Sequence, residues 1–308
     1  MILCVNPNAA IDKTAVVPNF RLNEIHRPQQ LITLAGGKGF NVARALKCLG
    51  HEPRIMCWIG GHAGDYIVSA LRREGIGVEA VRTDAESRTC LSILDPENQT
   101  LTEVYEQGEP IPPDKLAEFN TRFEHAVAGC EAVTLSGSLP PGVPSDFYAE
   151  LIRLAHAAHV PALLDASGDA LQQGIAARPA LVKPNKQEFE DLLGARYETG
   201  AAGVPAMIEL AQRYETTVIV SLGAEGVICA NGEQVIRVRP PRVRAVSAVG
   251  SGDALLAGIA FGIAHSFSLE ESLRYGVAAG AANALRIGAG VFDKREFDAL
   301  VSQVTALR

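Results

Sequence analysis

Two glycine-led helix starts contain the residues of this sequence that are best suited to chemistry. In the first, Gly250, Ser251 and Gly252 precede Asp253 and a long apolar run that predicts a helix. The first turn of a helix leaves backbone N–H groups unpaired and carries the positive end of the helix dipole, so it binds anions and phosphate in particular. We therefore expect residues 250–252 to form an anion-binding site.

Asp253 is an unusual residue to find beside an anion, because like charges repel. The position is reasonable if its carboxylate takes the proton from a hydroxyl group that attacks a bound phosphate. The alternative is structural: an acidic residue in the first turn favours the helix dipole, and the glycines close a tight turn. This stretch alone leaves both interpretations open.

The second helix start is Gly36-Gly-Lys-Gly-Phe-Asn41, with Lys38 and Asn41 as its polar members. It is not a P-loop, because that motif has Ser or Thr directly after its lysine, whereas Gly39 follows Lys38 here. Residues 250–255 are not a dinucleotide-binding fingerprint either, since Leu255 occupies the third glycine position. Two such helix starts suggest two anionic or polar ligands.

Asn185 and Glu188 lie three residues apart at the start of another predicted helix, so they face the same side. An amide oxygen and a carboxylate are hard ligands suited to Mg²⁺, which usually keeps several waters while it bridges phosphates. The same pair also fits a helix N-terminal capping arrangement. The two roles are compatible, and these residues alone leave both open: a helix cap, and Mg²⁺ bound through water.

Short apolar strands that alternate with helices predict an α/β fold with an open, mostly parallel sheet and helices on both faces. An opening strand covers residues 2–6, and later strands are predicted at 53–59, 132–136, 161–165, 180–183 and 217–221. Antiparallel strands are expected within 226–244, and helices at 251–265, 269–286 and 293–306.

Polar residues fall at or just past the carboxyl ends of these strands. They are Asn6, Asn8, Ser136, Ser138, Asp165, Lys183, Asn185 and Ser221. Ligands of open α/β sheets bind at that edge. The placement therefore favours an enzyme.

Two β-rich segments, 12–34 and 87–107, interrupt the alternation of strands and helices. The second contains a hairpin around Asp95-Pro-Glu-Asn98. We expect the two segments to pair into a small β-sheet that covers a pocket as a lid. The main domain would then comprise residues 1–11, 35–86 and 108–308.

The composition excludes several classes of protein. The 308 residues carry a net charge of −7, which argues against binding to a nucleic-acid backbone. The apolar runs are too short for a membrane span. The six cysteines are scattered without metal-site spacing, so we expect reduced thiols in a cytoplasmic protein.

Several motifs, in order along nearly the whole chain, resemble those of the ribokinase-like carbohydrate kinases, or phosphofructokinase-B family. They are Asn6-Pro-Asn-Ala-Ala-Ile-Asp12, Gly36-Gly-Lys-Gly-Phe-Asn-Val-Ala-Arg44, Gly137-Ser-Leu-Pro-Pro-Gly-Val-Pro144, Val182-Lys-Pro-Asn-Lys-Gln-Glu188, Ser221-Leu-Gly-Ala-Glu-Gly226 and Val249-Gly-Ser-Gly-Asp253. The run from Gly137 to Gly142, Thr102-Glu103, Arg88 and Lys38 resemble the branch that includes 1-phosphofructokinase and tagatose-6-phosphate kinase.

The resemblance implies a role for each position. Asp253 would be the base, and Gly250, Ser251 and Gly252 the anion hole. Substrate binding would involve Asp12, Gly37, Lys38, Asn41, Arg88 and Ser138, with Arg27 as a further candidate for the sugar's phosphate. ATP would contact Lys183, Asn185, Ser221, Gly223, Gly226, Ala248, Val249, Gly250, Gly252 and Asn283. Asn185 and Glu188 would order Mg²⁺. Ala248 departs from the family pattern, where threonine is common, and so lacks a hydroxyl near the phosphates.

The resemblance thus implies an ATP-dependent kinase that converts a ketohexose monophosphate into a bisphosphate. Fructose 1-phosphate, tagatose 6-phosphate and fructose 6-phosphate all remain candidates. Alternatives are a kinase of an unphosphorylated sugar or nucleoside on the same fold, and a non-catalytic sugar-phosphate sensor. Lys38 and Arg88 argue against a neutral substrate, unless they are ordinary surface charges. Exposed strand edges of the lid could also pair two copies into a homodimer.

Overall fold

The computed structural model describes residues 1–197, 203–232 and 234–307. The strands of these residues are β1 (Ile2–Val5), β2 (Ala10–Val16), β3 (Gln30–Gly36), β4 (Pro53–Gly60), β5 (Gly77–Thr83), β6 (Arg88–Asp95), β7 (Thr100–Tyr105), β8 (Ala132–Ser136), β9 (Ala162–Asp165), β10 (Leu181–Val182), β11 (Thr217–Ser221), β12 (Val227–Asn231), β13 (Gln234–Arg239) and β14 (Thr305–Leu307). The helices are α1 (Lys38–Cys48), α2 (Gly61–Arg73), α3 (Pro113–Val127), α4 (Phe147–Ala157), α5 (Gly168–Ala176), α6 (Lys186–Leu193), α7 (Val204–Tyr214), α8 (Ser251–Ala264), α9 (Leu269–Asn283) and α10 (Lys294–Val301).

The main sheet has ten strands in the order β14-β13-β12-β11-β10-β9-β8-β1-β4-β5. The seven strands from β11 through β1 to β5 in this order pair in parallel. Strands β12, β13 and β14 add antiparallel pairs at the other edge. The central strands are buried on both faces, which is why they read as continuous apolar runs. The predicted open, mostly parallel α/β sheet is confirmed.

Each face of the main sheet packs on its own apolar core. Ile2 and Cys4 of β1 belong to the cluster formed with α1, α8 and α9, whereas Leu3 and Val5 belong to the cluster with α3, α4 and α7. This alternation follows from the two-residue period of a strand. The helices therefore cover both faces and leave the carboxyl ends of the strands open at one edge.

Helices α8 and α9 pack closely enough to require glycine at their contact. A Cβ atom added to Gly258 would lie 2.6 Å from the Cα of Gly276. This close approach anchors the helix whose first turn carries Asp253.

The two β-rich insertions form a separate four-stranded sheet in the order β3-β2-β6-β7. In the first insertion, β2 begins at Ala10 and β3 ends at Gly36, slightly beyond the predicted 12–34 segment. The hairpin around residues 95–98 is confirmed, because β6 and β7 pair antiparallel across it. The use of this sheet as a lid, and the division into domains, stay predictions.

One predicted helix is wrong at its end. The helix expected at 293–306 ends at Val301, and Thr305–Leu307 form β14 against β13. No helix within the described ranges has both the length and the apolar character needed to cross a membrane.

Candidate active site

The start of α8 includes one position, Gly250, that only glycine can occupy. Gly250 caps the helix in the left-handed region, with a φ angle of 78°. A Cβ atom there would lie 2.6 Å from the Cβ of Ala289, so a side chain is excluded by both conformation and space. Within the turn the Ser251 N–H donates to the Ala248 carbonyl at 3.1 Å, so Gly250 and Gly252 are the residues whose N–H groups could bind an anion.

Asn283 holds this turn in place from the end of α9. Its amide nitrogen donates to the Val249 carbonyl at 2.8 Å and to Ser251 Oγ at 3.1 Å, and its amide oxygen accepts from the Gly290 N–H at 2.8 Å. The side chain is fully buried. Its polar atoms thus shape the loop before α8, and its contact with the nucleotide stays a prediction.

Asp253 lies in the first turn of α8 and is only 6% exposed. Burial raises the pKa of its carboxyl to about 6, with the negative charge of Asp165 adding to the rise. Lys38, a hydrogen bond from Asn41 and Lys183 act in the opposite direction. A carboxyl group that titrates near neutral pH is suited to accept a proton from a hydroxyl group.

Asn41 is held in position by Arg44 on the same helix. Arg44 Nη1 donates to Asn41 Oδ1 at 3.2 Å, while Nη2 donates to the Ala35 carbonyl at 2.6 Å. Asn41 in turn donates from Nδ2 to Asp253 Oδ2 at 2.8 Å. Asn41 and Asp253, which were expected to bind the substrate and to act as the base, are therefore hydrogen-bonded to each other.

Asp165, at the end of β9, is the central residue to which the sequence assigned no role. It is 1% exposed, and its two oxygens each lie 3.1 Å from a lysine ammonium, Lys38 for Oδ1 and Lys183 for Oδ2. Burial opposes ionisation, but the two lysines outweigh it and hold the pKa of Asp165 below its ordinary value. The signal for this residue was its position at a strand end among the other polar residues.

Lys38 and Lys183 bring positive charge to two helix starts. The position of a Cβ atom on Gly252 is 3.6 Å from Lys183 Nζ, which places this ammonium beside the first turn of α8. Lys38 Nζ lies 4.0 Å from Glu188 Oε1 at the start of α6. Burial opposes the charge of Lys38, but Asp165, Asp253 and Glu188 outweigh it and raise the pKa of Lys38.

Asn185 and Glu188 form a capping box at the start of α6. The Asn185 N–H donates to Glu188 Oε2 at 2.8 Å, and the Glu188 N–H donates to Asn185 Oδ1 at 2.9 Å. The capping interpretation is thus correct. Glu188 keeps its second oxygen, Oε1, on the side of Lys38.

The polar groups at α6 would suit Mg²⁺ only in a hydrated form. Within the described ranges, no cluster of three or more His, Cys, Asp or Glu side chains could hold a metal ion. One carboxylate oxygen of Glu188 and the amide of Asn185 fit an ion that keeps its waters and bridges phosphates.

The loop after β11 lies next to Asn185. Ser221 forms an isolated parallel bridge with Asn185, and its N–H donates to the Pro184 carbonyl at 3.0 Å. Gly223 and Gly226 both have positive φ angles, and a Cβ atom on Gly226 would lie 2.0 Å from the Val238 carbonyl oxygen. The expected nucleotide residues 183, 185 and 221–226 thus share one region of the sheet edge. Ala248 and Val249 are exposed on the loop before α8.

The expected acceptor residues lie where the small sheet meets α1. A Cβ atom on Gly36 would lie 2.0 Å from Asp12 Cγ, and one on Gly37 would lie 2.5 Å from Asn6 Nδ2. Burial raises the pKa of Asp12, against the nearby positive charges of Arg88 and Arg44. Asp12 is therefore a partly desolvated hydrogen-bonding group next to the glycines of the second helix start.

Arg88 forms the wall of a cavity of about 560 Å³ between the small sheet and the main sheet. Its guanidinium donates to the Glu106 carbonyl at 3.1 Å and to the Asn8 carbonyl at 3.3 Å. Asn8 also donates from Nδ2 to Ser138 Oγ at 3.1 Å. Arg88 and Ser138 are therefore brought together through Asn8, which was seen in the sequence only as a strand-end residue.

Arg27 is not brought into this site. It is exposed in the connection between β2 and β3, beyond the pair Val16 and Gln30, whereas the site lies at the pair Ala10 and Gly36. The intervening strand length is about 20 Å at roughly 3.3 Å per residue. Arg27 therefore lies away from this site within one chain, and its contact with the substrate stays a prediction.

The open sheet, the glycine-led helix starts and the buried carboxylate between them define a kinase with a ribokinase-like fold. The family model described as pfkB family carbohydrate kinase matches residues 3–295, and the chain belongs to that family. The prediction that the protein is a carbohydrate kinase is confirmed.

Solved structures of similar proteins agree with this assignment. Phosphofructokinase-2 from Escherichia coli, in a complex with potassium, matches with a TM-score of 0.92 and 28% identity over 98% of each chain. A Thermotoga maritima protein described as a possible 1-phosphofructokinase gives a TM-score of 0.90 and 27% identity over 100% of this chain and 99% of its own. Arabidopsis thaliana ribokinase, at 20% identity over 97% of this chain and 98% of its own, shares the fold with a TM-score of 0.78.

Proposed function

We propose that this protein transfers the γ-phosphoryl group of ATP to a hydroxyl group of a ketohexose monophosphate, giving a bisphosphate and ADP. The observation that carries the proposal is the buried Asp253 carboxylate at the glycine-led start of α8, with Lys183 beside the same turn. This arrangement combines a base, an anion site and a cation, which is what phosphoryl transfer requires.

The reaction follows from the position of these groups. The acceptor hydroxyl oxygen attacks the γ-phosphorus while Asp253 takes the hydroxyl proton. The bond from the γ-phosphorus to the oxygen bridging the β- and γ-phosphates breaks, and ADP leaves with that electron pair. Asp253 then releases its proton to solvent. The N–H groups of Gly250 and Gly252 and the ammonium of Lys183 would stabilise the charge on the transferred group.

Mg²⁺ would be held by Asn185 and Glu188 through water. The ion would offset the negative charge of the ATP phosphates. Glu188 Oε1 would face this ion, while Oε2 continues to cap α6.

Arg88 supports a phosphorylated acceptor. Its two hydrogen bonds go to carbonyl oxygens, which do not neutralise its charge, and it lines the cavity together with Asn8, whose side chain donates to Ser138. A planar guanidinium matches a phosphate group well. Fructose 1-phosphate, tagatose 6-phosphate and fructose 6-phosphate are the acceptors that we propose to test.

The test is ADP release from ATP and Mg²⁺ with each of these phosphates, beside fructose, tagatose, ribose and adenosine. We expect kcat/KM to be highest for one of the sugar phosphates. A higher kcat/KM for a free sugar or nucleoside would assign the chain to kinases of neutral acceptors. Binding of a sugar phosphate without any ADP release would instead indicate a sensor.

We also propose that two copies pair through the small sheet. Its outer strands expose apolar side chains, among them Leu31 at 58% and Val104 at 59%. Such edges and faces favour pairing with a second copy. A strictly monomeric mass in solution at micromolar concentration would contradict this pairing.

A further inference from the structure

Asp165 is the one carboxylate of the site that has a lysine on each of its oxygens. Lys38 comes from the first residue of α1, and Lys183 follows the end of β10, so three separate elements meet at this group. Asp165 and Lys183 are both almost fully buried. A carboxylate so enclosed is poorly placed to meet a substrate itself, but it determines where two ammonium groups lie.

The two ammonium groups face the helix starts on which ATP phosphates are expected. Lys183 Nζ lies 3.6 Å from the position of a Cβ atom on Gly252. Lys38 Nζ lies 4.0 Å from Glu188 Oε1. The pair therefore extends from the start of α8 to the start of α6.

The cavity of about 560 Å³ between the two sheets is lined by a different cation. Arg88 reaches the carbonyls of Asn8 and Glu106 and lines that cavity, whereas Lys38 Nζ contacts Asp165. Lys38 and Arg88, both expected among the substrate-binding residues, thus have different partners.

Both lysines form their ion pairs with Asp165 and not with the base Asp253. Asp253 accepts its hydrogen bond from the neutral amide of Asn41, while the nearest cations are occupied by Asp165. An ammonium bound directly to Asp253 would favour the charged carboxylate and weaken it as a proton acceptor.

We propose that Asp165 is a positioning residue that holds Lys38 and Lys183 as a pair of cations for the transferred phosphoryl group. Lys38 therefore acts in phosphoryl transfer and does not bind the acceptor sugar. This inference rests on the proposed kinase function and deepens it. The ATP-to-ADP affinity ratio of Lys38→Met distinguishes a failure of this inference from a failure of the proposed function.

The first test compares Lys38→Met with Lys47→Met, a control at the opposite end of the same helix. Loss of a charged contact should lower kcat by about ten- to a hundredfold and leave the KM for the sugar phosphate near the wild-type value. The ratio of equilibrium affinities for ATP and ADP, measured without acceptor, should fall by a similar factor. Lys47→Met should change neither.

The result that overturns the proposal is a raised KM for the sugar phosphate with kcat and the ATP-to-ADP ratio unchanged. Lys38 would then belong to the acceptor site. If the wild-type protein transferred phosphate to no sugar phosphate, the proposed function would fail, while the ATP-to-ADP ratio would still test Lys38.

The second test is Asp165→Asn, which keeps the shape and removes the charge. We expect kcat to fall and the acid limb of its pH profile to move to lower pH, because the freed lysines can pair with Asp253. The charged groups that face Asp253 are Asp165 on β9, Lys38 on α1 and Lys183 after β10. An unchanged kcat and acid limb in a folded variant would contradict the positioning role. If this variant does not fold, the Lys38→Met result decides.

Discussion

Asn41 Nδ2 donates a hydrogen bond of 2.8 Å to Asp253 Oδ2 and thereby joins two helix starts that are 212 residues apart in the chain. The first belongs to α1 next to the small sheet, and the second belongs to α8 next to the anion site. Because this bond fixes the carboxylate between them, a hydroxyl group and a phosphate could meet at one side chain.

The pH dependence of turnover should reflect the raised pKa of Asp253. The base acts in its ionised form, so kcat should fall as pH decreases through about 6. An ordinary aspartate would keep its charge down to about pH 4. The measurement is kcat at saturating ATP and acceptor across this range, with protein stability checked at each pH. An acid limb near pH 4 would contradict the desolvated base.

Asn41→Ala should move that acid limb to higher pH. The hydrogen bond from Asn41 favours the charged carboxylate, so its loss raises the pKa of Asp253 further. At alkaline pH the base is ionised in both proteins, and kcat should recover most of the difference. A limb that stays in place, or moves to lower pH, would show that Asn41 does not act on the charge of Asp253.

Arg88→Ala should raise the KM for the sugar phosphate by about ten- to a hundredfold, as expected for a lost charged hydrogen bond. The KM for ATP should stay near its wild-type value, because the cavity that Arg88 lines contains none of the residues expected to bind ATP. Arg82→Ala is a matched control, since Arg82 forms an exposed ion pair with Asp65. If the variant still prefers a phosphorylated sugar over the free sugar, the phosphate is bound elsewhere.

Glu188→Gln should increase the Mg²⁺ concentration needed for half-maximal activity, because it removes the charge that would face the ion. Glutamine can still complete the capping box, so the thermal stability should change little. Both effects are measured on one preparation, by Mg²⁺ titration of kcat and by thermal unfolding. An unchanged titration would leave Asn185 and Glu188 as a helix cap alone.

Much of the fold could be predicted because buried strands leave a strong pattern. β8 and β11 have the predicted bounds, 132–136 and 217–221, since each is an apolar run followed at once by polar or glycine residues. The polar residue at the end of such a strand also located the functional edge of the sheet. Ser136 and Ser221, which end the two strands, were identified this way.

Features that depend on distant partners could not be predicted. β14 has only three residues, and its pairing with β13 comes from a strand more than sixty positions earlier, so local periodicity favoured a continued helix. Asp165 has no motif of its own, and its importance appears only when Lys38 and Lys183 reach it from separate elements. Asn283 likewise binds a loop that lies far from it in sequence, since its partners Ser251 and Val249 are 32 and 34 residues earlier.

The most direct test of the proposed transfer is Asp253→Asn, assayed with the best acceptor found for the wild-type protein. The change removes the base while it nearly preserves the shape, so we expect both substrates to bind with near-normal affinity. The kcat should fall by roughly 10²- to 10⁴-fold, the usual contribution of a general base. A variant with near-normal kcat would contradict the account, because Asp253 would then only favour the dipole of α8.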